Sequence, residues 1–149
     1  MVSWLKSAAA ATAALLVLAV PAAAQVPDPF ARELAQRLSQ AEALLSERGY
    51  ARAAGPFAGG LGERQGRRYP MTLRAGQDYR IVGVCESRCG DFDLRLLAPN
   101  GALVAQDVLE DNVPIIHVRP RITGSYEVEA IMARCNASPC WYAFNVYSR

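Results

Sequence analysis

The chain has 149 residues, with 16 lysines and arginines against 14 aspartates and glutamates, and a single histidine. That near-neutral balance excludes an electrostatic grip on nucleic acid or an anionic membrane; the one basic cluster, Arg64, Arg67 and Arg68, has only Tyr69 beside it. The length suits one domain with one core.

Residues 1–24 read as an export signal. Lys6 supplies the positive start, Ala8 to Val20 the apolar stretch, and Ala22-Ala23-Ala24 the small residues a signal peptidase needs. The apolar stretch is short of the ~20 residues a membrane span requires, so no span is expected after cleavage. No cysteine follows it to carry a lipid. Cleavage before Gln25 removes Lys6 and leaves 125 residues with 15 basic against 14 acidic side chains. The expected location is periplasmic or secreted.

Residues 25–49 carry one amphipathic helix. Asp28-Pro29 is an acidic cap followed by proline at the first helical position. Phe30, Leu34, Leu38, Ala41 and Leu45 then recur at intervals of four, four, three and four, which aligns them on one face. Glu33 and Arg37 can pair four residues apart. Gly49 supplies a left-handed stop. Such a stripe has to pack on the rest of the chain or on a partner. Residues 50–66, with Gly55-Pro56 and Gly59-Gly60, read as a Gly/Ala-rich linker.

From residue 67 to 149 the period becomes two. Strands are expected over 68–73, 78–85, 91–97, 102–108, 114–119, 125–135 and 140–147, with turn chemistry between them at Ala75-Gly76, Pro99-Asn100-Gly101, Glu110-Asp111-Asn112 and Thr123-Gly124. Phe92, Leu94 and Leu96 alternate with Asp91, Asp93 and Arg95; Tyr126, Val128, Ala130 and Met132 alternate with polar neighbours. One buried and one wet face, repeated over about seven to eight strands, makes an all-β antiparallel sandwich.

The four cysteines lie in two close pairs, Cys85/Cys89 and Cys135/Cys140. In an exported chain they form disulfides. Three pairings exist; the local one is expected, because each pair brackets a short turn between two strands that could form a hairpin. The spacings and the compartment both disfavour zinc.

Tyr69-Pro70-Met71-Thr72-Leu73-Arg74-Ala75-Gly76-Gln77-Asp78-Tyr79, Gly90-Asp91-Phe92-Asp93-Leu94-Arg95-Leu96, Pro99-Asn100-Gly101 and Thr123-Gly124-Ser125-Tyr126-Glu127-Val128 follow one another in an order that resembles the bacterial pre-peptidase C-terminal domain over residues 67–148. The resemblance implies a jelly-roll-like sandwich, usually non-catalytic, that aids binding or secretion. This chain departs from it in having no protease domain and in carrying the cysteine loops.

Some members of that family bind calcium at comparable acidic positions. Here Asp91, Asp93, Asp107 and Asp111 are the candidate ligands, against the ordinary role of such residues in solvated turns. No other cofactor is indicated. His117 is expected to point outward with Arg119, and neither a Gly-x-Ser-x-Gly motif nor a free thiol offers a nucleophile. On the last strand Trp141 and Tyr147 fall on the outer face, where they either anchor a ligand or lie beneath the helix. The expectation is a non-catalytic binding or accessory module for a protein, glycan or envelope component. The alternative is a small periplasmic inhibitor of an exported hydrolase, inserting a stiff cysteine loop with Glu86 and Arg88 into a cleft.

Overall fold

The computed structural model describes residues 25–149; the export-signal reading concerns residues outside that range. Helix α1 (Asp28–Ser46) leads into eight strands: β1 (Ala51–Leu61), β2 (Gln65–Leu73), β3 (Tyr79–Cys85), β4 (Cys89–Leu97), β5 (Leu103–Asp107), β6 (Ile115–Val118), β7 (Gly124–Cys135) and β8 (Cys140–Ser148). They make two four-stranded sheets, β1-β8-β3-β6 and β2-β7-β4-β5. The hairpin β4–β5 is innermost in sequence, and β3–β6, β2–β7 and β1–β8 nest around it as successive antiparallel pairs. That nesting, folded into two sheets, is jelly-roll winding.

The alternating residues fill the space between the sheets. Phe92, Leu94 and Leu96 of β4 meet Tyr142, Phe144 and Val146 of β8, and all six are at most 2% exposed. Phe92 and Tyr142 pack with ring planes tilted by 35° and ring centres 5.1 Å apart. A 2.6 Å hydrogen bond between the hydroxyls of Tyr69 and Tyr142 gives each a partner inside this cluster.

Residues 51–61 are a strand, not a linker, so the sandwich begins well before residue 67. β1 pairs with β8 along its length, with bulges on either side of Ala54. Its glycines serve close approach rather than flexibility. Gly55 has φ +104°, and a Cβ there would stand 2.5 Å from the Asn145 side chain; at Gly60 one would press on Pro139 and Trp141 at 3.0 Å.

Pro27, with extended backbone, holds the cap position of α1, and no side chain caps it. Asp28 is instead the first helical residue, where its charge suits the positive end of the helix dipole. Gly49 ends the helix at φ +80°, as its type predicts.

The connections differ from expectation in one way that matters for the cysteines. β3 and β4 belong to different sheets, as do β7 and β8. The cysteine loops are therefore corners that carry the chain from one sheet to the other, not hairpin turns. Periodicity within a strand reports which residues face inward, but not which sheet the strand joins.

Candidate binding groove

Disulfides join Cys85 to Cys89 and Cys135 to Cys140. In the β4–β7 register Cys89 faces Cys135, so both bridges lie at one end of the sandwich. Glu86, in the first corner, is wholly buried. Its carboxylate accepts from the Arg88 amide (2.7 Å), Arg88 Nε (2.9 Å) and, more weakly, the Trp141 amide (3.4 Å). Arg88 in turn donates to the Pro139 carbonyl and lies 4.2 Å from the centre of the Phe30 ring. Burial pushes the Glu86 carboxyl up, but the hydrogen bonds and charge of Arg88 outweigh it and hold the group below its ordinary value. Backbone bonds from Asn136 to Arg88 and from Glu86 to Trp141 complete the junction. This arrangement overturns the expectation of a projecting loop: Glu86 is a bolt between two corners and cannot enter a cleft.

Trp141 and Tyr147 do lie on the outer face of their sheet, and α1 covers both. Leu34 and Leu38 pack on Val84, Ala143 and the half-buried Trp141. Leu45 packs with Tyr50, Val82 and Tyr147, whose exposure is 0%. As a ligand-binding pair they are corrected. The helix stripe needed an apolar surface, and these aromatics supply it.

The calcium candidates do not form a ligand set. Among the described residues no group of three or more metal-binding side chains converges. Asp107 accepts from the Leu109 and Ile115 amides, and Asp111 from the Val113 amide, which uses their oxygens to fold the 108–114 loop. Asp91 and Asp93 share the outer face of β4, each with one buried oxygen that has no partner among the described residues. Burial first, then the neighbouring Asp91 charge, pushes the Asp93 carboxyl up to about 6. His117 points outward as expected, with Nε2 2.6 Å from an Asp78 oxygen, while Arg149 holds the other oxygen of Asp78. A paired histidine with no nucleophile beside it is not a catalytic set.

What the sequence did not reveal is the surface α1 leaves open. Strands lie about 4.8 Å apart and a helix with its side chains is about 10 Å wide, so one helix covers roughly two strands of four. α1 rests mainly on β8 and β3, and less on β1. The rest of β3 and the edge strand β6 form a groove of about 650 Å³ beside it. Its apolar lining comes from Leu44 on the helix and from Val113 and Ile115, while Val82 and Val84, each 1% exposed, lie buried beneath α1 at its base; Gln36 and Gln40 of the helix add polar lining. Ile115 is 50% and Leu44 61% exposed. The 108–114 loop fixes the far rim, since the carbonyls of Asp111, Asn112 and Pro114 accept from the amides of Phe92, Cys85 and Gly83.

The two ends of the groove differ in charge. At the disulfide end Arg37 is neutralised by Glu33 at 2.9 Å. At the other end Arg48 and Arg80 have no acidic partner within ion-pair distance among the described residues. The Arg80 guanidinium lies 5.4 Å from the Tyr50 ring centre, and Arg80 Nη1 and the Tyr50 hydroxyl are both buried without partners among the described residues.

No family model matches the chain, and no curated protein matches it. Among solved structures it is similar to the periplasmic inhibitor of g-type lysozyme, PliG, from Aeromonas hydrophila, with a TM-score of 0.49 and 13% identity, covering 64% of this chain and 85% of that one. A likeness of that size carries neither family nor activity across. No helix among the described residues is long and apolar enough to cross a membrane.

Proposed function

We propose that this chain is an exported, non-catalytic binding module, and that the groove between α1 and β6 is its contact surface. The observation that carries the reading is that one helix leaves part of a four-stranded sheet face open, where Leu44, Val113 and Ile115 present apolar surface in a trough open to solvent. The disulfide-joined corners and the hydrogen-bonded 108–114 loop support it, because they hold the trough walls fixed before any ligand arrives. The resemblance to pre-peptidase C-terminal domains, whose motifs fall on β2, β4 and β7, also favours an accessory role. So do disulfides suited to an oxidising compartment.

The test is retention of the purified mature chain by protein, glycan and lipid fractions of the cell envelope. Ile115→Asp, at a half-exposed position, charges the trough and should keep the fold, which its melting temperature checks. Loss of retention with this variant supports the reading; equal retention of both proteins refutes it. The inhibitor alternative has its own arm: wild-type chain added to envelope hydrolases, with dose-dependent loss of activity as its signature.

A further inference from the structure

We propose that the groove takes an aliphatic chain ending in a carboxylate, its head at Arg80 and Arg48 and its tail along Leu44, Val113 and Ile115. This deepens the binding-module reading and rests on it. An apolar trough alone names no occupant; its charge distribution does. The disulfide end is already neutral, since Glu33 and Arg37 satisfy each other. The opposite end presents two guanidinium groups without acidic partners among the described residues. One of their donors, Arg80 Nη1, is buried with no hydrogen-bond partner among the described residues. One oxyanion oxygen accepts from such donors, and a carboxylate matches the arginine fork with two. The ligand that complements a trough with an apolar wall at Leu44, Val113 and Ile115 and a single uncompensated cationic end is an amphiphile with one anionic head.

The size agrees. About 650 Å³ lies within the ~300–1,000 Å³ range of small-molecule sites. A second copy of this chain does not fit the trough with its own helix, because the α1 stripe of Leu34, Leu38 and Leu45 is already buried at home. Strand addition at β6 is opposed by its length of four residues and by Pro114 and Pro120 on either side. An acidic partner helix would spread its charges along the trough, whereas the free cations are confined to one end.

The probe is dodecanoate below its micelle concentration, titrated into the mature chain, with binding read by methyl NMR of Leu44, Val113 and Ile115. Saturable binding is expected, with shifts at these methyls and weak or no binding of dodecanol. Arg80→Gln should weaken dodecanoate binding by about tenfold or more, the value of a charge-assisted bond. Arg48→Gln, at an exposed site, gives a second reading that does not depend on the environment of Arg80. Equal affinity for dodecanol, shifts elsewhere on the protein, or no saturable binding each overturn the proposal. If dodecanoate fails while Ile115→Asp still abolishes retention by an envelope protein fraction, the amphiphile is refuted and the binding module stands. If dodecanoate binds and Ile115→Asp leaves envelope retention unchanged, the amphiphile site stands and the module reading fails.

Discussion

Glu86→Gln isolates the bolt between the two corners. Gln preserves the shape of the side chain but removes its charge, and its amide group turns donors toward donors: the Arg88 amide, Arg88 Nε and the Trp141 amide all point at the native carboxylate. Hydrogen bonds to a charged group contribute about 1.5–3 kcal/mol each, but Arg88 is 40% exposed and regains water when released. One buried charge-assisted bond to the Arg88 amide, at 2.7 Å, is then the main loss, and the expected destabilisation is about 2 kcal/mol. For a domain of this size that lowers Tm by roughly 6–10 °C. Urea unfolding at pH 7 with disulfides intact measures it, and Trp141 is the single tryptophan after residue 24, so its fluorescence reports from the junction itself.

The pH dependence adds a second signature. The folded carboxyl is held below its ordinary value, so its contribution is complete above the unfolded carboxyl range and is lost as pH falls through the lower folded value. Wild type should lose that increment on acidification while Glu86→Gln has none to lose. A loss below about 0.5 kcal/mol at pH 7, or parallel acid profiles, would refute the reasoning.

Three further outcomes follow from the same geometry. Asp93→Asn should stabilise the protein at pH 7, because a carboxyl raised to about 6 binds its proton more tightly when folded and its ionisation opposes folding. The full shift corresponds to about 3 kcal/mol, which partial exposure reduces to about 1–2; thermal melts should show the gain at pH 7 and its disappearance by about pH 3, below both pKa values. Replacing Cys85 and Cys89 together by serine should cost about 2 kcal/mol, the chain-entropy value for so short a loop, and equilibrium unfolding checks it. Leu38→Ala, at a site 6% exposed between α1 and the sheet, should cost about 2–3 kcal/mol in the same assay; a neutral result would mean that the helix is not docked in solution.

Much of the sandwich was legible because a strand with one buried face must alternate. Seven expected strands appear within a few residues of their predicted bounds, and Phe92, Leu94 and Leu96 face inward as their pattern requires. β1 was missed for a physical reason. Gly55, Gly59 and Gly60 carry the composition of a loop, yet they are small because Asn145, Tyr142 and Trp141 of β8 come too close for a side chain. Glu86 likewise reads as a turn acid, since nothing local shows that a second corner about fifty residues further along the chain converges on it. The nearby pairing of the cysteines could be read from sequence spacing; the sheet change at each corner could not.

The groove was illegible for a different reason. It exists only because α1 is one helix wide and its neighbours in the sheet are four strands wide, a relation between elements rather than a motif. Arg80 alternates with apolar residues and looks like any solvated strand residue until Tyr50 and the helix end are placed around it. Conversely, Trp141 and Tyr147 looked like a surface until the Leu34/Leu38/Leu45 stripe was laid over them.

The most direct test of the groove as the working surface compares two double variants for retention by envelope fractions. Leu44→Glu with Ile115→Asp charges the trough, and Leu103→Glu with Ile122→Glu charges exposed apolar positions outside it, each at residues at least 50% exposed. The account predicts that the first variant loses retention and the second keeps it, with both melting near wild type. Retention by the first variant, or its loss only in the second, would contradict it.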